Sequence, residues 1–435
     1  MSRSDDTIFA AASGFGRAAV AVIRLSGPGT RGVLEALAGG VPEQARRMSL
    51  RTLRHPTTRE PLDQALVVWM PGPNSFTGED QAELQIHGGV AVRASVLAAL
   101  GTLEGCRPAE PGEFTRRAFL NGRMDLSAVE GLADLVDAET EAQRRQALRQ
   151  LEGALGNAVE AWREEALQIL ALLEAALDFS DEGDVPEGLE REARQRIEVL
   201  RGSLVGILAR PSGERLREGF VVVLAGAPNA GKSTLLNALA RREVAIVSPV
   251  AGTTRDVIEV RCDLGGLPVI FVDTAGLRDS TDPVEQEGVA RARARAATAD
   301  LVLWLVAPDG EQVQPEGSGL VVGTKADLGS APGADLLVSA ATGFGLDTLL
   351  ARIEAAAQQA LGGGDAVLTR ERHRLALQDA LSSLDRALDL MIQGGPTELA
   401  TEDVRLATRA IGRITGRVDV EDMLDRLFGA FCIGK

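Results

Sequence analysis

The spacing of apolar residues changes several times along the chain, and each change marks a region of different predicted structure. Residues 1–118 hold short runs with strand character, AAVAVIRL, QALVVWM and AELQIH, between turns rich in glycine and proline. In residues 119–215 the apolar positions recur at helical spacing, which predicts helices over 124–179 and 188–209 with an acidic loop at 180–188. We therefore predict a compact α+β domain followed by the first part of a helical domain.

From residue 216 to 365, strand-like and helix-like segments alternate. Buried runs of strand type, FVVVLAG, VIFVDTAG, ADLVLWLVA, GLVVGTKAD and DLLVSA, are separated by helical sequence such as KSTLLNALA. Apolar strands that alternate with helices are typical of a doubly wound, mostly parallel sheet. Helical sequence resumes over 366–435, so the predicted fold is multidomain, α/β and α+β, with an α/β domain inserted into a helical one.

Composition narrows the class of protein. The 435-residue chain is 45% hydrophobic and 25% charged, with no apolar run of about 18 residues and no signal-peptide pattern at its start. Cys106, Cys262 and Cys432 are odd in number and far apart, which argues against a disulfide framework and favours a reducing, cytoplasmic location. The net charge of −16 opposes non-specific binding to nucleic acid, so any RNA contact needs a local basic face.

A phosphate-binding motif follows the first strand of the α/β region. GAPNAGKS at 226–233 matches G-x-x-x-x-G-K-[ST] between a predicted strand and a predicted helix. Backbone N–H groups in such a loop and at the start of the helix point at phosphate oxygens. Lys232 is expected to reach the β- and γ-phosphates, and Ser233 to bind Mg²⁺. In the later DTAG motif, Asp273 is expected to support the Mg²⁺ shell and the Gly276 N–H to contact the γ-phosphate.

Two further motifs predict recognition of guanine. TKAD follows a later strand, and its Asp327 carboxylate can accept two hydrogen bonds from the guanine edge. The motif order resembles the GTPase superfamily, with Thr324 where asparagine is usual and with SAATG similar to the fifth, base-contacting motif. The predicted GTP-binding residues are Asn229, Ala230, Gly231, Lys232, Ser233, Thr234, Asp273, Thr274, Ala275, Gly276, Thr324, Lys325, Asp327, Ser339, Ala340 and Ala341.

The GTPase motifs alone do not identify the group that orients the attacking water. Leu277 stands where many small GTPases place glutamine. Glu285, in the following LRDSTDPVEQEG, is the candidate catalytic residue, and a solvated carboxylate is the alternative. SPVAGTTRD and the P-loop asparagine resemble GTPases that are stimulated by K⁺ and by dimerisation of their G domains. The implied metal ligands are Ser233 and Thr254 for Mg²⁺, and Asn229, Ser248, Val250 and Thr253 for K⁺.

Long strings outside the α/β region resemble one family. GRAAVAVIRLSGP, PNSFTGED, AELQIHGG, AEPGEFTRRAFLNGRMDL and the terminal FCIGK are similar to MnmE (TrmE), the tRNA uridine-5-carboxymethylaminomethyl modification GTPases. The resemblance covers essentially the whole chain. It implies a homodimer with an N-terminal folate-binding and dimerisation domain, and a heterotetramer with the flavoprotein MnmG.

The resemblance also implies a reaction. Such proteins add an aminomethyl or carboxymethylaminomethyl group to C5 of the wobble uridine (U34) of certain tRNAs. The one-carbon unit comes from a tetrahydrofolate derivative, 5,10-methylene- or 5-formyl-tetrahydrofolate. GTP, Mg²⁺ and K⁺ are the other implied cofactors, and no membrane is involved.

The resemblance gives roles to residues that the composition leaves unremarkable. Without it, Arg24 and Arg123 are surface arginines and Lys435 is a frayed end. With it, Glu285 takes the position of the family's catalytic glutamate, and Cys432 is either a residue at the modification site or a buried apolar thiol. Arg123 stands where lysine is common. The residues implied for the folate site are Arg24, Glu83, Arg123 and Lys435.

A row of arginines near the C-terminus is a candidate RNA contact. Its members recur every four residues, so they fall on one face of a predicted helix. The row is either a solvated face paired with Glu402 or Asp403, or a contact with the tRNA backbone. Its members are Arg405, Arg409, Arg413 and Arg417.

For the whole chain, the alternative to tRNA modification is a regulatory GTPase of ribosome assembly without group-transfer chemistry. Such GTPases share the P-loop and DTAG motifs but lack the N-terminal strings and FCIGK. Binding of folate distinguishes the two hypotheses.

Overall fold

The computed structural model describes residues 6–14, 16–178, 185–210, 213–242, 244–246, 259–273, 299–308, 319–362 and 366–418, together with 424, 427–429, 431 and 434. The chain divides into two compact units, which are described separately. The N-terminal unit is Met1–Ala133 with Gly412–Lys435, and the central unit is Asp134–Ile411. Among the described residues, no helix is long and apolar enough to cross a membrane.

The N-terminal unit contains a six-stranded sheet. Its strands are β1 (Thr7–Ala11), β2 (Val20–Ser26), β3 (Ser49–Arg54), β4 (Pro61–Met70), β5 (Gln81–His87) and β6 (Cys106–Pro108). Their order is β3-β4-β5-β2-β1-β6, and all neighbours are antiparallel except β1 and β6. β2, β4 and β5 confirm the strands predicted from AAVAVIRL, QALVVWM and AELQIH. The sequence pattern does not reveal β1, β3 and β6, because each is short or interrupted by polar residues.

One face of this sheet is packed against helices. Helices α1 (Thr30–Ala38) and α2 (Val90–Gly101) cover this face, whereas Phe114 of α3 (Glu113–Leu120) packs with Ile8 and Ala10 on the other face. Alternate residues of β2 and β5, such as Ile23 and Leu84, are fully buried in a core with α1 and α2. Burial of each such side chain stabilises the fold by about 1.5–3 kcal/mol. The intervening residues, Arg24 and Glu83 among them, point to the opposite face of the sheet because side chains alternate along a strand.

The last residues of the chain pack inside the N-terminal unit, against the start of α4 (Leu126–Asp137). Gly112 precedes α3 with φ of 67°, and a Cβ there would lie 2.6 Å from the carbonyl oxygen of Phe428. Only glycine allows this approach. The buried cluster that joins the two segments consists of Leu126, Val129, Leu424, Phe428 and Phe431.

Within the described residues, the remaining helices are α5 (Glu141–Leu151), α6 (Ala154–Asp178), α7 (Val185–Leu208), α8 (Glu214–Glu218), α9 (Lys232–Ala240), α10 (Leu346–Leu361), α11 (Glu371–Ile392) and α12 (Thr397–Thr415). The helix predicted over 124–179 is divided into α4, α5 and α6, and a capping box of Thr140 and Gln143 starts α5. The prediction that helix resumes at 188 was wrong by three residues, because α7 starts at Val185. Pro186 is compatible with that start, since the first N–H groups of a helix have no partner within it.

The central unit holds the predicted parallel sheet. Its strands are β7 (Phe220–Gly226), β8 (Glu259–Leu264), β9 (Leu267–Asp273), β10 (Leu301–Val306), β11 (Leu320–Gly323) and β12 (Leu336–Leu337). The order is β12-β11-β10-β7-β9-β8, and only β8 is antiparallel to its neighbour. This confirms the mostly parallel sheet; the β8–β9 hairpin was not predicted. The domain boundaries at 118, 215 and 365 stay predictions.

The strand order determines where a ligand can bind. β7 lies between β9 and β10. After β7 the chain forms β8 and β9 on one side of it and then β10, β11 and β12 on the other, so the strand order reverses next to β7. In open α/β sheets, ligands bind in the crevice at the carboxyl ends of the strands on either side of such a switch point. The P-loop follows the carboxyl end of β7 and lies at this crevice.

Candidate functional site

The P-loop has a backbone conformation that suits phosphate binding. Gly226 ends β7 with φ of 148°, and a Cβ there would lie 2.5 Å from the carbonyl oxygen of Leu305. Asn229 and Gly231 also have positive φ, 63° and 90° respectively. Asparagine tolerates this region better than most residues. The loop therefore turns sharply before α9 and presents the start of that helix to the crevice, where its N–H groups favour an anion.

Lys232 supplies a cation that no carboxylate neutralises among the described residues. Its side chain is 8% exposed. The Nζ donates hydrogen bonds to the carbonyl oxygens of Gly226 at 2.8 Å and Ala227 at 2.9 Å. Because both acceptors are neutral, they do not offset the positive charge that the ammonium presents to a ligand. The P-loop is therefore a site for an anion.

Ser233 and Asp273 bring two oxygen atoms together beside the lysine. The Ser233 hydroxyl donates to Asp273 Oδ2 at 2.6 Å, and Asp273 is 2% exposed at the end of β9. Mg²⁺ at a nucleotide site takes one or two protein oxygens and completes its shell with water and phosphate. This pair fits that requirement. Among the described residues, no group of three or more His, Cys, Asp and Glu side chains could hold a metal ion by itself.

The TKAD segment is joined to the P-loop by a contact that the sequence does not reveal. Thr324 is buried, and its hydroxyl donates to the carbonyl oxygen of Ala230 at 2.7 Å. Lys325 follows with φ of 52°. At the position where asparagine is usual in GTPases, threonine therefore forms a bond between the base-reading segment and the phosphate loop.

Asp327 is positioned by the SAATG segment. Ser339 Oγ donates to Asp327 Oδ1 at 2.5 Å, and the Asp327 side chain is exposed. The backbone N–H of Ala326 donates to the Val338 carbonyl oxygen at 3.1 Å, which aligns the two segments. Within the described part of the chain, Oδ2 makes no hydrogen bond. The carboxylate is thus oriented but still able to accept from a ligand, as recognition of a guanine edge requires.

Arg24 and Glu83 form an ion pair on the sheet face opposite α1 and α2, the face against which Phe114 of α3 packs. They are direct cross-strand neighbours of β2 and β5, with Arg24 Nη2 3.1 Å from Glu83 Oε1. Each side chain is 25% exposed. The Arg24 guanidinium carbon lies 5.6 Å from the Phe76 ring centre and 5.8 Å from that of Phe114. Both rings stabilise the cation and leave the pair accessible to a ligand.

Arg123 packs against the segment that carries Phe76. A Cβ on Gly78 would lie 3.4 Å from Arg123 Cγ, so the aliphatic part of Arg123 covers this glycine. Asn121 Nδ2 donates to the Thr77 carbonyl oxygen at 2.7 Å and fixes the same contact. The structure therefore brings Arg24 and Glu83 into contact and places Arg123 against the segment next to them.

A buried chain of charges continues from this segment, and sequence reasoning missed it. Glu113 is 4% exposed and accepts from Arg107 Nη2 at 2.6 Å and from Arg117 Nη2 at 3.1 Å. Arg117 is 6% exposed and also donates to Glu79 at 3.0 Å. Ser26 of β2 donates to the same Glu79 oxygen at 2.8 Å. The spacing of Glu113 and Arg117, four apart in EFTRR, is the signal that points to this pair.

The charges in this chain stabilise one another. Burial disfavours the ionised form of Glu113, but hydrogen bonds from Arg107, the Glu110 N–H and Arg117 outweigh it, so the pKa of Glu113 is below its ordinary value. The hydrogen bond to Glu113 raises the pKa of Arg107. Both shifts favour the ionised forms of Glu113 and Arg107, and the hydrogen bonds of the network connect α3 with β6 and with the segment around Glu79.

The C-terminal end of the chain lies near the same strands. A Cβ on Gly434, whose φ is 100°, would lie 2.5 Å from the carbonyl oxygen of Ala11. Ala11 pairs with Ile23 of β2, the residue before Arg24. Gly434 of the terminal FCIGK motif therefore lies against β1, the strand next to the one that carries Arg24. Cys432 and Lys435 themselves lie outside the described residues.

Comparisons with known proteins identify the family. A family model for the MnmE helical domain matches residues 126–432, and one for the GTP-binding protein TrmE N-terminus matches residues 7–123. The tRNA modification GTPase MnmE of Methylobacterium sp. (strain 4-46) is 65% identical over 441 residues, which cover 99% of this chain and 100% of that protein. The protein of the same name from Methylorubrum populi is 62% identical and covers 99% of this chain and 98% of its own. This chain belongs to the MnmE family.

Membership of the MnmE family confirms the resemblance found in the sequence and the fold class inferred from it. Among solved structures, the chain is similar to the G domain of the T. maritima FeoB iron transporter, at 25% identity over 32% of this chain and 99% of that chain. The TM-score of that match is 0.22, too low to support an argument.

Several residues predicted for the MnmE-type sites lie outside the described residues and stay predictions. They include the candidate catalytic glutamate, most of the K⁺ ligands and the residues after Asp273 in DTAG. These residues are Ser248, Val250, Thr253, Thr254, Thr274, Ala275, Gly276, Glu285, Cys432 and Lys435.

The predicted arginine row of this MnmE-family chain is only partly on one helix. α12 ends at Thr415, and Gly416, with φ of 80°, breaks the helix before Arg417. The prediction that Arg417 shares the helix face was therefore wrong. Arg405 is paired with Glu402 and, at 3.1 Å, with Glu174. These bonds favour a paired, solvated surface over an RNA contact at that position.

The two described cysteines are poor nucleophiles. Both are free thiols. Burial raises the pKa of Cys262 to about 12. Burial, with a smaller contribution from the Asp6 charge, also raises the pKa of Cys106. Since the thiolate is the reactive form, neither residue fits a covalent role at neutral pH.

Proposed function

We propose that this member of the MnmE family is a GTP-hydrolysing enzyme that acts in tRNA modification. With a flavoprotein partner, MnmG, it would add an aminomethyl or carboxymethylaminomethyl group to C5 of the wobble uridine (U34). The observation that carries the proposal is the buried Lys232 ammonium, held by two loop carbonyls beside the Ser233–Asp273 pair. The match of relatives over 99% of this chain supports tRNA modification over a ribosome-assembly GTPase.

The site residues divide the work of holding GTP. Lys232 leaves its carbonyl acceptors and binds β- and γ-phosphate oxygens, and N–H groups from Ala230 to Thr234 surround the phosphates. Ser233 and Asp273 hold Mg²⁺, which neutralises the phosphate charge when bound. Asp327, oriented by Ser339, accepts from the guanine N1–H and amino groups. An adenine at that position would leave the carboxylate without donors and would bind less tightly.

Hydrolysis in this proposal uses Glu285 and K⁺. Glu285 would orient the attacking water. Asn229, Ser248, Val250 and Thr253 would hold K⁺, and Thr254 would join Ser233 at Mg²⁺. Bound there, K⁺ would supply positive charge where phosphate charge develops. Dimerisation of the inserted G domains completes this arrangement. The resemblance of SPVAGTTRD and of the P-loop asparagine to K⁺-stimulated GTPases supports this part of the proposal. GTP turnover in KCl is expected to exceed turnover in NaCl about tenfold or more, and equal rates would contradict the K⁺ role.

The N-terminal unit is proposed to bind the tetrahydrofolate derivative. Arg24, Glu83, Arg123 and Lys435 would hold it, with Cys432 as a candidate at the modification site. The aromatic rings around Arg24, the accessible ion pair and the approach of Gly434 to β1 support this placement. Arginine recognises the carboxylates of folate, and the Glu83 carboxylate suits N–H donors of a pterin ring.

Folate binding is tested by titration with 5-formyl-tetrahydrofolate. Arg24→Ala is expected to lower folate affinity about tenfold or more, because a charge-assisted hydrogen bond contributes about 1.5–3 kcal/mol. Arg31→Ala, at an exposed ion pair of the same unit, is the matched control and is expected to bind normally. Equal affinity of the wild type and both variants would contradict the assignment.

The whole proposal is tested in cells. Nucleoside analysis of tRNA from cells lacking this chain is expected to show loss of the C5-modified uridine. Wild-type chain is expected to restore it, and Lys232→Ala is not. Normal modification in the deleted strain would refute the function. The homodimer, the heterotetramer with MnmG and the cytoplasmic location stay predictions.

A further inference from the structure

A strip of arginines follows β3, the edge strand of the N-terminal sheet. β3 is last in the strand order, so one side of its backbone has no neighbouring strand in the described sheet. Residues 43–60 contain five arginines and two glutamates, in a chain with 46 basic and 62 acidic residues. We call this strip the β3 arginine edge; its residues are Arg46, Arg47, Arg51, Arg54 and Arg59.

The arginines of the β3 arginine edge bond to neutral groups. Arg51 Nε donates to Ser49 Oγ at 3.1 Å, and Arg59 Nη1 donates to the Ala36 carbonyl oxygen at 3.1 Å. Arg54 donates to the Arg59 carbonyl oxygen at 3.2 Å. Arg46 and Arg47 likewise bond to a carbonyl and an amide oxygen, of Asn74 and Gln44. Among the described residues, none of the five has a carboxylate partner.

This pattern differs from that of other arginines in the same unit. Arg24, Arg107 and Arg117 each pair with a glutamate. Near the β3 arginine edge, Asp63 is already bonded to the N–H and the ring of His87. Each guanidinium has five N–H donors, and one or two bonds to neutral oxygens leave most of them free for an anion. The local charge is therefore both positive and unneutralised.

The β3 arginine edge is long enough to contact several charges of an extended polyanion. β3 has six residues, which at about 3.3 Å per residue give a strand of about 17 Å. Arg46 lies at the end where its N–H pairs with Trp69, and Arg59 lies at the other end, in the turn where its N–H donates to the His55 carbonyl oxygen. Four of the five arginines are exposed, and Arg51 is half-buried. Side chains alternate along a strand, so Arg51 and Arg54 point to opposite faces and the guanidinium groups flank the edge on both sides. Cations spread over this length can contact several phosphates of a nucleic-acid strand.

We propose that the β3 arginine edge binds the sugar–phosphate backbone of tRNA. The inference rests on the proposed function, because tRNA is the polyanion on which that function acts. Guanidinium groups bind phosphate oxygens in pairs, and double-stranded RNA is recognised mainly by its shape and backbone. Because the net charge of the chain is −16, an RNA contact needs a local basic face, and the β3 arginine edge is such a face. The β3 arginine edge is a better candidate for this contact than Arg405, which is paired with two glutamates.

The test compares charge removal at the edge with equal charge removal elsewhere. The edge variant changes Arg47, Arg54 and Arg59 to glutamine, all exposed and outside the nucleotide and folate sites. The control variant changes three exposed arginines that pair with glutamates, namely Arg31, Arg145 and Arg194. A third variant changes the edge positions to lysine. Affinity for tRNA is measured with the full chain over a series of KCl concentrations.

The edge glutamine variant is expected to bind tRNA about 10–100-fold more weakly, with a slope of log K against log [KCl] shallower by about 2. The control is expected to stay within about twofold of wild type, and the lysine variant to keep most of the slope because its charge is retained. GTP hydrolysis without tRNA is expected to be unchanged in all three, which confirms that they fold.

Four outcomes would overturn the proposal. Equal losses in the edge and control variants would mean that only total charge matters. Unchanged tRNA binding, with altered molecular mass in sedimentation, would mean that the arginines control pairing of β3 with a second copy. Absence of tRNA binding by the wild type would refute the proposal and would also count against the proposed function. Normal tRNA binding by both the wild type and the edge glutamine variant would refute the proposal alone.

Discussion

The P-loop and the Arg24–Glu83 pair hold their cations in different ways. In the P-loop, Lys232 is held by two backbone carbonyls, and no described carboxylate offsets it. In the N-terminal unit, Arg24 is bonded to Glu83, and neighbouring arginines are bonded to Glu113 and Glu79. A site with an unopposed cation attracts a highly charged anion such as a nucleotide triphosphate. A site with paired charges instead favours a ligand that has both donors and acceptors, because each partner must exchange one bond for another.

The largest expected effect removes the unopposed cation. Lys232→Ala is expected to lower GTP affinity by about 10²–10³-fold, since two charge-assisted hydrogen bonds to phosphate contribute about 3–5 kcal/mol. Titration with a fluorescent GTP analogue measures the loss. Arg242→Ala, at a half-buried arginine after α9 that pairs with Asp347, is the control and is expected to bind normally. Affinity of Lys232→Ala within threefold of wild type would contradict the comparison.

The second effect breaks the paired charges. Arg117→Met leaves the buried Glu113 and the half-buried Glu79 without this partner, which is expected to lower the free energy of unfolding of the N-terminal unit by about 3 kcal/mol. Arg31→Met breaks an exposed pair of the same i,i+4 type and is expected to cost less than about 0.5 kcal/mol.

Urea unfolding measures this difference through Trp69, which lies in the N-terminal core. Changing Trp162 and Trp304 to phenylalanine makes Trp69 the only tryptophan, because the chain has three. Equal stability of Arg117→Met and Arg31→Met would show that the buried network contributes no more than a surface pair.

A smaller effect depends on pH. The pKa of Glu113 is lower in the folded state than its ordinary value of 4.5. Its contribution to stability is therefore complete above about pH 4.5 and is lost as the pH falls through the folded pKa. The stability difference between the wild type and Glu113→Gln, followed by Trp69 fluorescence, is expected to narrow as the pH falls from 7 to 3. A difference that stays constant over this range would contradict the assignment.

The two sites also differ in how far they could be predicted from the sequence. The P-loop, the DTAG aspartate and Asp327 lie in short contiguous motifs at strand ends, so local pattern was sufficient to identify them. The bond from Thr324 to Ala230 joins positions 94 residues apart, and no local pattern contains it. Arg24 and Glu83 are 59 residues apart and meet only through the register of β2 with β5. Family resemblance could name them, but composition and periodicity could not.

Errors in the sequence predictions have physical causes. Arg417 fits the four-residue spacing of the arginine row, yet the helix stops at Gly416, a residue suited to the left-handed turn after a helix. β3 was missed because its sequence, SLRTLR, lacks the apolar alternation of a strand with one buried face. Only Leu53 of this edge strand is fully buried. The exposure of the other residues leaves the arginines of β3 available for a ligand.

The account depends most on a guanine nucleotide at the P-loop with its base read by Asp327. Competition between GTP and ATP for the purified chain, in the wild type and in Asp327→Asn, tests this directly. We expect wild type to prefer GTP by at least about 10²-fold, and Asp327→Asn to reduce that preference to about tenfold or less, because the amide presents a donor to the guanine amino group. Equal affinity of the wild type for GTP and ATP would contradict the account.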